Sequence, residues 1–134
     1  MAADLSYLLD RFGRTVPDIR CSVVLSADGL LLARSSNIDQ TAADQLAAVA
    51  AAVDGIARGA ARQHGWGQTR KTIMEMEHSY LFITALGADA RACLAVSAES
   101  TADVGQIAYE MAVLADRAGA FFTPGPRQNA ALTS

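Results

Sequence analysis

Near the start of the chain, apolar residues recur at helical spacing. Leu5, Leu8, Leu9, Phe12 and Val16 share one face, so residues 4–15 are expected to form a short amphipathic helix. Asp4 is placed to cap it and Pro17 to end it. The period then shortens. Residues 20–26 and 30–35 are β-rich runs separated by Asp28-Gly29, a strong hairpin signal between apolar segments. Thr41 to Asp44 resembles a capping box with Asp in place of Glu. It should open a helix of about 20 residues that stops near His64-Gly65. Leu46, Val49, Val53, Ile56 and Ala60 form its expected core face. Strand-like runs follow at residues 69–77, 79–86 and 90–98, joined by turns short enough to make antiparallel neighbours. Met74 and Met76 alternate with Glu75 and Glu77, the pattern of a half-buried strand. A last helix is predicted over 101–119, with Val104, Ile107, Met111 and Leu114 on one stripe and Gly119 at its close.

The fold class this order predicts is α/β: an α-β-β-α-β-β-β-α sandwich around a five-stranded antiparallel sheet. Its 134 residues suffice for one core and not for two. One domain is expected over residues 1–122. Pro124-Gly125-Pro126 opens a polar tail over 123–134 that is expected to be disordered.

The middle helix is the most informative segment. Opposite its expected core face, a step of about 100° per residue places Asp44, Ala48, Ala51, Gly55, Arg58, Gly59 and Arg62. A solvated face is normally crowded with Glu, Lys and Gln, whereas this one is mostly Ala and Gly. Each glycine inside a helix costs roughly 1 kcal/mol relative to alanine. Two readings stand open: small side chains that admit a second backbone, or an alanine-rich solvated helix shaped by a GC-rich genome. Composition supports the first, because 51% of the residues are hydrophobic, a high share for a monomer of this size.

Charge and motifs exclude several functions. The net charge is −3, Lys71 is the only lysine, and no basic run exists, which argues against nucleic acid and anionic membrane surfaces. No apolar run reaches membrane-spanning length, and Met1-Ala2-Ala3-Asp4 does not begin an export signal, so a cytoplasmic location is expected. Cys21 and Cys93 are then expected to be reduced, buried thiols with no base to activate them. Gly65-Trp66-Gly67 follows a helix and lacks the third glycine of a dinucleotide fingerprint, and no P-loop motif is present. His64 and His78 are too few and too far apart for a zinc site, so no metal or cofactor is expected. His64 is placed to meet a helix dipole and His78 to sit in a turn. Ser22, Ser26 and Ser79 lack a nucleophile setting, and Glu75 and Glu77 fit a solvated strand face better than an acid/base pair. Trp66 is either a contact anchor or a lid on the edge of the core. The chain is therefore not expected to be an enzyme.

Over about residues 4–120 the sequence resembles the Roadblock/dynein light-chain family. The carriers are the hairpin from Val23 to Ala33, the Ala-rich helix from Thr41, the stretch from Tyr80 to Gly87, Cys93-Leu94-Ala95-Val96, and Gly105 with Tyr109-Glu110-Met111 in the last helix. It is most similar to the Roadblock proteins of actinobacterial conservons, whose operons also encode a membrane sensor kinase and a Ras-like GTPase. It is also similar to the bacterial gliding-motility regulator that acts on a small GTPase. The resemblance implies a profilin-like fold and a homodimer with central helices side by side and third strands paired. On this chain that pairing falls on Thr72, Met74 and Met76. It also implies that a small Ras-like GTPase meets the paired helices at Ala48, Ala51, Ala52, Gly55, Arg58, Gly59 and Arg62. A sensor kinase is an implied further partner, bringing the protein to the membrane without insertion. A small-molecule-sensing or purely scaffolding domain is the competing expectation.

Overall fold

The structure, a computed structural model, describes residues 2–87, 89 and 92–122. The elements follow the expected order. They are α1 (Ala2–Thr15), β1 (Ile19–Ser26), β2 (Leu31–Arg34), α2 (Gln40–His64), β3 (Lys71–Glu75), β4 (Ser79–Leu86), β5 (Ala92–Glu99) and α3 (Val104–Gly119), with a short 3-10 turn at Ala120–Phe122. The expected tail, 123–134, lies outside the described residues.

The five strands form one antiparallel sheet in the order β2-β1-β5-β4-β3. β5 lies at the centre. Its side chains alternate between two cores: Ala92, Leu94, Val96 and Ala98 on one face, Cys93 and Ala95 on the other. That explains its nearly unbroken apolar sequence, as a strand covered on both sides requires. The first core lies under α1 and α3 and is filled by Leu5, Leu9, Phe12, Phe82, Ile107, Met111 and Leu114. The second lies under α2 alone and joins Val23, Leu25, Leu81 and Ile83 to the helix.

Polar residues fix where the helices begin. Asp39 caps α2 by accepting from the Ala42 N–H, and Asp103 caps α3 by accepting from the Gln106 N–H. The cap of α2 is therefore Asp39 and not Thr41, and the helix is 25 residues long. Likewise α3 begins three residues later than its apolar pattern suggests, and Asp4 lies within the first turn of α1. Gly65 adopts the left-handed conformation (φ 67°) and returns its N–H to Ala61 O, which ends α2 as expected. β3 is shorter than its sequence pattern and stops at Glu75, leaving Met76 and Glu77 beyond the strand. Gly119 is the last residue of α3 rather than a stop, because the chain tightens into the 3-10 turn.

The largest correction concerns the core face of α2. The residues facing the sheet are Ala43, Ala47, Ala50, Asp54 and Ala61. Leu46, Val53 and Ala60 are half-buried, while Val49 and Ile56 are exposed. The physical reason is volume. The sheet beneath α2 presents Val23, Leu25, Leu81 and Ile83, so methyl-sized side chains on the helix fill the remaining space at native density. The larger aliphatics are turned to the helix flank.

Candidate functional site

α2 positions most of the expected binding residues. Ala48, Ala52, Gly55 and Arg62 are exposed on its outer surface, and Gly59 is half-buried. A Cβ added at Gly55 or Gly59 meets nothing within 4 Å. Packing within the chain therefore gives no reason for glycine at either position. Ala51 and Arg58 depart from the expected face. Ala51 is half-buried beside the β1–β2 turn, where a Cβ on Gly29 (φ 92°) would lie 3.3 Å from its own Cβ. Arg58 is half-buried because it is ion-paired within α2.

The flank opposite Ala51 faces the other edge of the sheet. There Leu46 and Val53 of α2 and Met74 of β3 are half-buried against the second core. One step further round, Val49 and Ile56 are 50% and 74% exposed. β3 is an edge strand that pairs only with β4, so its outer backbone groups are without a strand partner among the described residues. Thr72 and Met74 point to the α2 side of this edge and are half-buried; Met76 is exposed just past its end. Ile73 is exposed on the other face of the same edge. The α2 flank, through Leu46 and Val53, and β3, through Met74, thus pack against the same core on one face of the sheet.

A charged group is set into the sheet-facing side of α2. Arg58 Nε donates to Asp54 Oδ2 at 2.7 Å. Below them lies the Cys93 thiol. Burial, reinforced by the Asp54 carboxylate, pushes its pKa up to about 12. Burial also raises the Cys21 thiol, although Arg20 opposes the shift and Cys21 is only half-buried. Both thiols are free and held protonated, the opposite of what a nucleophile needs.

Arg58 and Arg62 line a cleft of about 810 Å³ at the carboxyl end of α2. Ala61 and Ala85 also line it, with Gly65 and Gly67 from the loop after the helix and Asp89 on the β4–β5 side. Trp66 does not lid the core. It is 71% exposed and stacks on His64 with ring centroids 4.7 Å apart. His78 is exposed and sits 3.7 Å from Glu77. No group of three or more His, Cys, Asp or Glu among the described residues is arranged to hold a metal ion. No helix among them is long and apolar enough to cross a membrane.

A family model described as the Roadblock/LC7 domain matches residues 5–98. The chain belongs to the Roadblock/LC7 family. A solved Roadblock/LC7 domain from Streptomyces avermitilis is 30% identical, with a TM-score of 0.81 over 87% of this chain and 96% of that one. MglB from Myxococcus xanthus is 17% identical, with a TM-score of 0.79 over 89% and 94%. The gliding protein MglB from Thermus thermophilus is 17% identical, with a TM-score of 0.72 over 85% and 84%. No curated protein matches the chain.

Two features of this Roadblock domain go beyond what its sequence predicts. Asp54 falls among apolar residues and lies outside the expected core face, although its spacing from Ala43, Ala47, Ala50 and Ala61 carries the signal of the sheet-facing stripe. Val49 and Ile56 belong to the expected core, and their exposure has no counterpart in the apolar pattern.

Proposed function

We propose that this Roadblock domain is a homodimeric adaptor that binds a small Ras-like GTPase in a bacterial signalling complex. Two observations on one face of the sheet carry the reading: the exposed Val49 and Ile56 on the flank of α2 beside Val53, and the free edge of β3, whose Met74 packs against the same core as Val53. Exposing such large aliphatics beside an unpaired strand is unfavourable for a lone molecule and favours association. A second copy related by a two-fold axis covers both. Its α2 lies against this α2, and its β3 extends the sheet at Thr72 and Met74, with Met76 just past the end of the strand.

Pairing leaves the outer surfaces of both helices free. Ala48, Ala52, Gly55 and Gly59 then make a shallow surface that a partner's backbone approaches closely, with Arg62 and the rim of Arg58 at one end and Ala51 at its side. The GTPase assignment comes from the family resemblance. It is supported by 30% identity to an actinobacterial domain of the same family and by the shared fold of the gliding protein MglB. In this reading the chain supplies no catalytic residue, and any effect on GTP hydrolysis acts by rearranging the GTPase. A cytoplasmic site of action and a link to a membrane sensor kinase belong to the same proposal. The small-molecule reading has less behind it, because the core beneath α2 is filled by the aliphatic side chains of Val23, Leu25, Leu81 and Ile83.

Capture of a Ras-like GTPase, loaded with GDP or a non-hydrolysable GTP analogue, tests the assignment. Gly55→Arg should abolish capture while the circular-dichroism spectrum and dimer mass are retained. A Gly55→Arg dimer that captures the GTPase as well as wild type does overturns the reading.

A further inference from the structure

The Asp54–Arg58 pair is expensive to bury and has no counterpart elsewhere on the sheet-facing stripe of α2, which is otherwise alanine. What it accomplishes is visible at the cleft. Asp54 occupies the Arg58 Nε, which fixes the plane of the guanidinium where the side chain enters the lining. Arg62 stands one turn further along the same wall, exposed and with no ion pair among the described residues. Two arginines one turn apart on the cleft wall, one of them held by a carboxylate, offer guanidinium N–H groups to an oxyanion. They also offset the negative end of the α2 dipole, which is otherwise unfavourable to an anion. Beside the cleft Trp66 is held by its stack on His64 and presents most of its surface outward. Arg and Trp together are the residue types that dominate binding energy at protein interfaces.

We propose that the cleft at the carboxyl end of α2 binds an acidic segment of a protein partner, with Arg58 and Arg62 receiving its carboxylates, Trp66 receiving an adjacent apolar side chain, and Asp54 acting as the positioning residue for Arg58. The proposal rests on the reading of the α2 surface as partner-binding. It extends that reading by giving this end of the surface a charge preference. Arg58 projects from the side of α2 opposite Val49, so the cleft stays open when a second copy covers the Val49 and Ile56 flank.

The probe is a fluorescent peptide alternating Glu with Leu, set against the same peptide with Gln for Glu and against inorganic phosphate as competitor. Full-length dimer is titrated by fluorescence anisotropy, with the Arg Nε–H and Trp indole signals followed by NMR. Binding of the Glu peptide, shifts confined to Arg58, Arg62 and Trp66, and at least tenfold weakening by Arg62→Ala support the proposal. Asp54→Asn should weaken the peptide several-fold and broaden the Arg58 Nε–H signal, a loss of positioning that leaves the Arg62 shift in place. Equal binding of the Gln peptide, unchanged affinity in Arg62→Ala, or full displacement by millimolar phosphate overturns it. If the peptide fails while Gly55→Arg still abolishes GTPase capture, the charge preference falls and the wider reading stands.

Discussion

Arg58 donates through Nε to Asp54 Oδ2 across 2.7 Å, one turn apart on α2, on the side of the helix that faces the sheet. The two partners are unequal in burial: the Asp54 side chain is 11% exposed and that of Arg58 32%. Their removal should therefore be unequal as well. Arg58→Ala strands a carboxylate above a buried thiol and should destabilise by about 3 kcal/mol, the scale of an orphaned buried charge. Asp54→Ala leaves an arginine long enough to reach water and should cost about 1 kcal/mol or less. The double variant should resemble Asp54→Ala. Urea unfolding of the three proteins measures the cycle, and equal losses in both single variants would show that burial does not govern the pair.

The alanine stripe of α2 makes a second contrast. Ala47 is fully buried against the sheet, whereas its neighbour Ala48 is exposed. Ala47→Leu adds three carbons where Val23, Leu25 and Ile83 already fill the space, and should destabilise by about 2 kcal/mol through overpacking. Ala48→Leu should change stability by less than about 0.5 kcal/mol, since it lies on the surface. Paired thermal melts decide between this arrangement and the one in which Val49 and Ile56 face the sheet, which leaves Ala47 as well as Ala48 off the core and predicts a small change for both.

These contrasts also show what sequence can and cannot reveal here. The hairpin at Asp28-Gly29, the stop at Gly65 and the central strand through Leu94 and Val96 are legible because turn chemistry and continuous apolar runs are local signals. The face of α2 is not. Hydrophobic periodicity reports where large apolar residues recur along a helix, not which of its faces meets the sheet. Val49 and Ile56 therefore read as core, and alanine, neutral on such a scale, conceals the true core stripe. Asp54 is hidden for a related reason: its partners, Arg58 one turn away and Cys93 on a distant strand, meet it only after folding. Of the candidate site, the exposed small residues Ala48, Ala52 and Gly55 are legible, while the cleft beyond them is lined by Ala85 and Gly87, which only folding brings near the end of α2.

Cys93 gives a pH dependence with a definite sign. Its folded-state pKa is raised to about 12, above the value near 8.5 of an unfolded thiol. The folded state keeps a proton that the unfolded state releases, so this contribution to stability is complete below about pH 8.5 and declines as pH rises towards 12. Cys93→Ala should flatten the fall in urea midpoint between neutral and alkaline pH. In the folded wild type at pH 8, an aromatic disulfide reagent should modify Cys93 far more slowly than in denaturant. A fast reaction of Cys93 in the folded protein would contradict the burial assigned to it.

Glu99 titrates in the opposite sense. The hydrogen bond from Arg20, at 2.7 Å, holds its carboxyl below the usual carboxylate range. A lowered folded-state value means that the stabilisation exists above the unfolded pKa of about 4.3 and disappears as pH falls through the lower folded value. Carbon-detected NMR should place the Glu99 midpoint below the usual carboxylate range, and Arg20→Ala should return it to that range. A Glu99 midpoint unaffected by Arg20→Ala would mean that the contact is not populated in solution.

Ile56 offers the most direct test of the assembly. Its side chain is 74% exposed and lies two turns from Val49 on the same flank of α2. In the proposed homodimer a two-fold axis passing the helix midway between them sets Val49 of one copy against Ile56 of the other, so each residue is used once on each side and the contact closes on itself. Burying two such pairs is worth several kcal/mol by apolar area alone, at about 25 cal/mol per Å². Ile56→Glu places two carboxylates in that contact and gives them no cation there. Equilibrium sedimentation should show the wild type at twice the 14.0 kDa chain mass and Ile56→Glu at the chain mass itself, with unchanged far-ultraviolet circular dichroism. Thermal stability of the variant should lose its dependence on protein concentration, because mass action no longer couples folding to association. A wild type that sediments as a single chain at micromolar concentration would leave Val49 and Ile56 exposed to water and remove the physical basis of the dimer.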